Sequence, residues 1–127
     1  MPFEEHVDAS SIDWSPCGQF LIVGDTAGQI HSVDSRTLKV VGTIKHQSQD
    51  SQRESQEPVV QDVKISPDGH QVAFGVRGST SISLINIDPA SFALKFAHAI
   101  KMSYLLGGLA SLDWSTDSKY LALNSAG

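Results

Sequence analysis

The chain carries three copies of one pattern of apolar and polar positions, spaced about fifty residues apart. They read SIDWSPCGQFLIVG at 11–24, DVKISPDGHQVAFG at 62–75 and SLDWSTDSKYLALN at 111–124. In each copy an alternating segment leads to a short turn sequence, which is followed by a denser apolar run. Alternation with a period of two indicates a half-buried strand, and a dense run indicates a strand covered on both faces. Each copy therefore predicts a β-hairpin.

Two more strands are predicted after each of the first two hairpins, and no segment shows helical periodicity. Residues 99–110 fit a loop, a short strand or one helical turn equally well. A repeat of this length, built from strands and turns, is typical of stacked β-sheet units. The fold class is therefore all-β, with two four-stranded antiparallel meanders and a further hairpin. The predicted strands are 11–15, 20–24, 29–33, 38–45, 59–65, 71–76, 82–87, 92–97, 110–114 and 119–123.

The apolar positions shared by the three hairpins predict the core. We expect Trp14 and Trp114 to pack between neighbouring units, although exposed aromatics could also anchor a partner protein. The core between units is expected on the first strand of each copy, at Ile12, Trp14, Val63, Ile65, Leu112 and Trp114. Burial is also expected on the second strands, at Leu21, Val23, Val72, Phe74, Leu121 and Leu123.

These features resemble the blades of WD-repeat β-propellers. Val33-Asp34 and Ile87-Asp88 stand where that family has Trp-Asp, and three histidines fall where it has Gly-His: His6, His46 and His98. The phrases LDWSTDSKYLALNS (112–125) and IDWSPCGQFLIVG (12–24) are similar to those of the echinoderm microtubule-associated protein-like family. The resemblance implies a non-catalytic protein-interaction scaffold whose partner is tubulin or another cytoskeletal or ciliary protein.

The resemblance also implies a division of the chain. Blade 1 is expected at about 6–46, a polar inserted loop at 47–58, blade 2 at about 59–98, and the start of blade 3 at about 99–127. Propellers close with about 4–8 blades. We therefore expect a partial propeller, whose partners include the remaining blades of a longer parent protein.

The resemblance is incomplete at the position of a buried hydrogen-bond network. Ala27 stands where the family has a turn aspartate, and no tryptophan ends the third strand of either complete blade. The tightest form of the family's network therefore cannot form here. We expect close packing of Val33 and Ile87 to replace it.

Composition limits the partners and the compartment. The formal net charge of −5 argues against a nucleic-acid partner, because phosphate binding needs clustered Lys and Arg. It also argues against simple electrostatic attachment to the acidic tails of tubulin. A single cysteine, no membrane-spanning apolar run and no signal peptide indicate the cytoplasm, with the cytoskeleton or a cilium as the site of attachment.

A search for catalytic motifs predicts no enzyme. No nucleophile elbow, phosphate-binding loop or metalloprotease motif is present, and one cysteine cannot supply paired zinc ligands. Asp13 and Asp113 occupy equivalent positions in two copies, which indicates a repeated structural role. We expect no catalytic residue, no cofactor and no metal. Cys17 lies in an exposed turn without a basic neighbour in sequence, which predicts an ordinary thiol.

An alternative function is open at this stage. SPDGHQVAF at 66–74 also resembles repeats in the gating propeller of prolyl-oligopeptidase-type peptidases. A general WD-repeat scaffold unrelated to the cytoskeleton is a second alternative. The phrases ending in Asp-Trp-Ser favour the microtubule-associated type.

The segment 47–58 is polar throughout except for Pro58, which predicts a loop without a packed core of its own. Three of its serines are followed by glutamine, a pattern that certain kinases prefer. Either the segment is only a loop, or it carries phosphorylation sites at Ser48, Ser51 and Ser55.

Overall fold

The computed structural model describes residues 8–45, 59–77, 81–101 and 109–125. This part of the chain contains ten strands and no helix, which confirms the all-β prediction. The strands are β1 Ala9–Trp14, β2 Phe20–Asp25, β3 Gln29–Asp34, β4 Val40–Lys45, β5 Val60–Ile65, β6 Gln71–Val76, β7 Ser81–Ile87, β8 Leu94–Lys101, β9 Leu109–Trp114 and β10 Leu121–Ser125.

The strands form two antiparallel meanders and a hairpin. The sheets have the orders β1-β2-β3-β4 and β5-β6-β7-β8, and β9 pairs with β10. We call them blade 1, blade 2 and the half blade. Their first hairpins share one register, since Trp14 lies opposite Leu21, Ile65 opposite Val72 and Trp114 opposite Leu121. Residues at equivalent positions of the three copies can therefore be compared directly.

The turn between the first two strands of each copy is closed in the same way. Gly18, Gly69 and Ser118 have φ angles of 75°, 78° and 63°, and each donates its N–H to the serine three residues earlier. Glycine adopts this left-handed conformation without steric cost. The third copy makes the same turn although it lacks both Pro and Gly, because Ser118 takes the glycine position.

The structure differs from the predicted strands on the outer side of each blade. β4 begins at Val40 because Leu38 has a φ of 61° and belongs to the turn. Phe92, with a φ of 62°, has the same place before β8. β8 continues to Lys101, so the start of the ambiguous segment 99–110 is strand.

The sheets stack with their first strands side by side, in the order β1, β5, β9. The junction between blades 1 and 2 is mainly apolar, with the buried Ser32 hydroxyl donating to the carbonyl of Phe92 across it, and the second junction is smaller. The first buried cluster contains Phe20, Ile22, Ile30, Val60, Val63, Ile65, Val72, Phe74, Val76, Ile85 and Ile87. The second contains Ala73, Ile82, Leu84 and Leu112, against which Trp114, Leu121 and Leu123 pack.

The expected core is confirmed in blade 2 and wrong on the first strand of blade 1. Leu21, Val23, Val63, Ile65, Val72, Phe74 and Leu112 are buried as predicted. Trp114, Leu121 and Leu123 are half-buried. Ile12 and Trp14 are each 57% exposed. Their side of blade 1 faces away from blade 2, and no other described strand packs on it.

Candidate interaction surface

The turns at one end of the blades form a continuous rim. In blade 1, Ser35 donates its N–H to the carbonyl of Gln19 at 3.1 Å and its hydroxyl to the carbonyl of Gly18 at 2.9 Å. In blade 2, the N–H of Ile87 bonds to the carbonyl of His70 at 2.9 Å. These bonds join the turn after each first strand to the end of the third strand in blade 2 and to the turn that follows it in blade 1. The turn rim comprises residues 15–19, 34–39, 66–70, 88–93 and 115–119.

Contacts between copies extend the rim from blade to blade. Ser118 accepts the N–H of Asp68 at 3.0 Å, which links the half blade to blade 2. On the other side, a Cβ placed on Gly69 would lie 3.9 Å from the Cδ of Pro16, so the first two turns lie close together. The three turns therefore lie side by side, and a hydrogen bond joins the second turn to the third.

Carboxylates in these turns are held in the ionised form. The Ser66 hydroxyl donates to Asp68 at 2.5 Å, and the Ser115 hydroxyl donates to Asp117 at 2.6 Å. These bonds are the main reason that the pKa of each carboxyl lies below its usual range. The amide of Ala90 and then the hydroxyl of Ser91 lower the pKa of Asp88 in the same way. Each carboxylate is thus charged and already bonded within its own turn.

Cys17 occupies the position of Asp68 and Asp117 in the first turn. Its Sγ lies 3.4 Å from the Ser15 hydroxyl. That hydroxyl, followed by the amide of Gln19, lowers the pKa of the exposed thiol. The thiol is exposed as expected, and its pKa is lowered although no basic residue lies beside it in sequence. Hydrogen bonds rather than a nearby cation favour the thiolate here.

The charge of the rim is nearly balanced. It carries four carboxylates, at Asp34, Asp68, Asp88 and Asp117, and three cations, at Arg36, Lys39 and Lys119. A surface of mixed sign does not attract one charge class of partner strongly. Recognition at this rim therefore depends on shape and on individual hydrogen bonds more than on net charge.

A buried polar network lies inside blade 1, where sequence analysis expected only packing. Asp25 is fully buried at the end of β2, and its Oδ2 lies 2.7 Å from Nε2 of His31. Its Oδ1 accepts the amides of Ala27 and Gln29 at 2.9 and 2.8 Å. Nδ1 of His31 lies 2.9 Å from the Thr43 hydroxyl, so the network joins β2, β3 and β4.

This network serves structure rather than chemistry. Asp25 satisfies the turn between β2 and β3, and His31 connects it to the outer strand. Among the described residues of blade 1, the network is formed by Asp25, His31 and Thr43.

The aspartates of the first strands have the structural role that their repetition predicted. Oδ2 of Asp13 accepts the N–H of Ile65 at 2.8 Å, so it bonds blade 1 to blade 2. Oδ1 of Asp113 accepts the N–H of Trp114 at 3.0 Å. Asp62, which sequence analysis missed, accepts the N–H of Leu112 at 2.8 Å and bonds blade 2 to the half blade.

Several sequence-based predictions lie outside the described residues. They include the candidate phosphorylation sites Ser48, Ser51 and Ser55, and the histidines at 6 and 46. His98 is described and lies exposed within β8, opposite Leu84. Among the residues that the structure describes, no three His, Cys, Asp or Glu side chains are grouped so as to hold a metal ion. The same residues contain no helix long and apolar enough to cross a membrane.

Comparison with known families gives one match over part of the chain. The sequence profile of the anaphase-promoting complex subunit 4 WD40 domain matches residues 2–52, which include the whole of β1 to β4. No curated protein matches the sequence.

Solved structures match almost the whole chain. The β-propeller domain of Cps50 (Swd1) from Myceliophteria thermophila has a TM-score of 0.72 at 14% identity, over 95% of this chain and 38% of that one. A chain of the mitotic checkpoint complex has a TM-score of 0.71 at 17% identity, over 93% and 33%. Hydrazine synthase from Kuenenia stuttgartiensis has a TM-score of 0.73 at 19% identity, over 100% and 32%.

These comparisons show the fold. The chain has the architecture of β-propeller blades and spans about a third of the length of the solved chains that it matches. It forms part of a propeller. WD40 propellers are typically protein-interaction scaffolds and generally non-catalytic, although one of the similar structures is that of an enzyme, hydrazine synthase. The resemblance to the echinoderm microtubule-associated protein-like family is not confirmed by these matches.

Proposed function

We propose that this part of a WD40-type propeller is a non-catalytic scaffold that binds another protein through the turn rim. The observation that carries the proposal is the bonding of the rim's carboxylates. Asp68 and Asp117 are ionised and accept hydrogen bonds from within their own turns. A carboxylate in this state is a poor general acid, and it shapes a rigid surface instead.

Tubulin or another cytoskeletal or ciliary protein is the partner that we propose first, with attachment in the cytoplasm. The phrases IDWS at 12–15 and LDWS at 112–115 support it. Because the rim carries both signs of charge, binding should depend on shape and weaken only modestly when salt is raised.

A second partner class is supported by the sequence profile that matches residues 2–52. That profile describes the WD40 domain of a subunit of the anaphase-promoting complex, and one similar structure belongs to the mitotic checkpoint complex. A role as a propeller subunit in a multiprotein assembly of that kind uses the same rim and needs no catalysis.

The test compares the two partner classes on one protein. The 127-residue chain is sedimented with purified microtubules and, in parallel, is used to capture anaphase-promoting complex subunits from mitotic extract. Pelleting with microtubules that survives a rise in salt supports the cytoskeletal partner. Capture of the complex without pelleting moves the assignment to the second class.

Variants on the rim test the scaffold itself. Asp68→Lys together with Asp117→Lys should abolish whichever interaction is found, because it removes the carboxylates whose hydrogen bonds hold two neighbouring turns in shape. Lys101→Glu lies at the opposite end of the outer strand β8, away from the rim, and is the matched control. Equal binding by both variants would contradict a role for the rim.

A further inference from the structure

Asp68 and Gly69, in the first turn of blade 2, form a residue pair that is prone to a spontaneous rearrangement of the main chain. The carboxyl carbon of an aspartate can be attacked by the main-chain nitrogen of the next residue, and glycine has no side chain to obstruct that attack. The chain contains Asp-Gly once and Asn-Gly nowhere. Asp68 is exposed on the turn rim, so the pair is also accessible to water.

The closed turn holds both reacting groups in other bonds. The nitrogen of Gly69 donates its N–H to the carbonyl of Ser66 at 2.8 Å. The carboxylate of Asp68 accepts the hydroxyl of Ser66 at 2.5 Å and the N–H of His70 at 3.0 Å. Attack requires the nitrogen to lose its proton and the carboxyl to gain one, because a carboxylate is a poor electrophile. The fully buried Ser66 opposes both changes, one with its carbonyl and the other with its hydroxyl.

The charge of Asp68 adds to this protection. The hydroxyl of Ser66 is the main reason that the pKa of Asp68 lies below its usual range. At a given pH, the reactive neutral acid is therefore scarcer in the closed turn than in an open one. Turns at a surface open locally without unfolding of the whole chain, and such an opening releases both groups at once.

The equivalent turns of the other two copies each lack one part of the reactive pair. In blade 1, Cys17 precedes Gly18 and supplies no carboxyl carbon. In the half blade, Asp117 precedes Ser118, whose side chain obstructs attack by its own nitrogen. All three turns close with the same left-handed backbone conformation. The geometry of the turn therefore does not require Asp-Gly, and the reactive pair is a property of blade 2.

We propose that Asp68 is a modification site, which converts to isoaspartate when its turn opens and which Ser66 protects while the turn is closed. The nitrogen of Gly69 bonds to Cγ of Asp68, and the carboxyl hydroxyl leaves with the amide proton as water. The resulting succinimide is then hydrolysed. If water breaks the bond from the nitrogen to Cγ, aspartate returns. If water breaks the bond to the main-chain carbonyl carbon, the chain runs through Cγ as isoaspartate. One water is lost and one regained, and nothing is oxidised.

The modification would alter the turn rim. Isoaspartate adds one carbon to the main chain between Asp68 and Gly69, and it leaves a carboxylate on the α-carbon. The bonds of the present carboxylate to Ser66 and His70 depend on the normal spacing. The N–H of Asp68 also donates to the hydroxyl of Ser118 at 3.0 Å, which joins blade 2 to the half blade. A longer main chain at this position would disrupt the turn and its bond to the neighbouring copy.

The test follows isoaspartate during incubation of the 127-residue chain at mildly acidic pH, with and without urea. The probe is methyl transfer from labelled S-adenosylmethionine by an isoaspartyl methyltransferase, and peptide mapping assigns the signal to residue 68. The folded chain should react about tenfold or more slowly than the unfolded chain. Folded Ser66→Ala should react about tenfold faster than the folded wild type, because it loses a hydrogen bond to a charged group.

Two further variants separate local protection from general stability. Ser83→Ala removes another buried serine of blade 2, on β7 and outside the turn, and should react like the wild type. Gly69→Ser copies the residue of the third turn and should suppress the reaction in the folded and the unfolded chain. Circular dichroism checks that each variant keeps the β fold.

Three results would overturn the proposal. The first is an equal rate in the folded and the unfolded wild type, which would mean that the turn gives no protection. The second is a Ser66→Ala variant that reacts no faster than the wild type or than Ser83→Ala. The third is an undiminished signal from Gly69→Ser, which would place the isoaspartate at another residue.

Discussion

Blade 1 and blade 2 have the same strand order and register but different surroundings. Blade 2 is covered on both faces, and Val63 and Ile65 on its first strand are 0% and 7% exposed. Blade 1 is covered on one face, and the equivalent Ile12 and Trp14 are 57% exposed. The burial of a position in this fold is therefore decided by the neighbouring blade and not by the residue type.

The interiors of the two blades differ as well. Blade 1 holds Asp25 and His31 in a polar network, and the equivalent positions of blade 2 are occupied by Val76 and Ser83. A buried polar network is stable only when its members are satisfied, and Asp25 accepts three hydrogen bonds. Blades with the same repeated sequence pattern can therefore have either apolar or polar residues in their interiors.

The difference between the blades should have its largest effect on stability when an isoleucine on the first strand of each blade is replaced by alanine. Ile65→Ala should lower the free energy of unfolding by about 2–5 kcal/mol, because it leaves a cavity in the junction between blades 1 and 2. Ile12→Ala should cost less than about 1 kcal/mol, since its side chain is exposed. Urea denaturation at a concentration where the chain is monomeric gives both values. If the two variants lost the same free energy of unfolding, the burial of these positions would not depend on the neighbouring blade.

The second largest loss of stability is expected when the polar network inside blade 1 is removed. Asp25→Val copies the residue of blade 2, but it leaves two part-buried amides and His31 without their acceptor. We expect a loss of about 3 kcal/mol in the free energy of unfolding. The control is Asp34→Ala, which removes an exposed acceptor of two turn amides and should cost about 1 kcal/mol or less. If Asp25→Val were as stable as the wild type, the network would have no structural role.

A smaller loss of stability is expected where the backbone of blade 1 closely approaches a side chain of blade 2. A Cβ on Gly24 would lie 2.7 Å from Cβ of Val60 in the next blade. Gly24→Ala should therefore cost about 1–3 kcal/mol through overpacking. Adding Val60→Ala should recover part of that loss, since the second change removes the clashing methyl groups. A double variant whose loss equals the sum of the single losses would mean that the two residues are not in contact.

The smallest effect on stability is expected in the turn rim, where the contribution of Asp68 depends on pH. The pKa of Asp68 is lowered in the folded chain, so its contribution to stability is complete above its unfolded pKa of about 3.9. That contribution is lost as the pH falls through the folded pKa. Between pH 5 and pH 2, the wild type should lose more stability than Asp68→Asn, as measured by thermal unfolding. Identical losses would show that the Ser66 bond does not stabilise the carboxylate.

The sequence predicted strands and turns well because they are specified locally. Alternation and turn residues placed all ten strands near their observed bounds, and the repeated Ser-x-Asp turns share one geometry. The exposure of Trp14 could not be predicted, because it depends on which blade lies beside it. The Asp25–His31–Thr43 network was missed because its members come from three strands, and pairing between strands is not visible in any one of them.

The two tryptophans give the most direct test of the account, because they are equivalent in register and are the only two in the chain. Trp14 is exposed, and Trp114 is half-buried with its indole bonded to Lys64. The variants Trp114→Phe and Trp14→Phe each leave one fluorophore for acrylamide quenching of the monomer. Trp14 should emit at longer wavelength and be quenched more strongly than Trp114. Equal quenching of the two, or stronger quenching of Trp114, would contradict the difference in burial between the two blades.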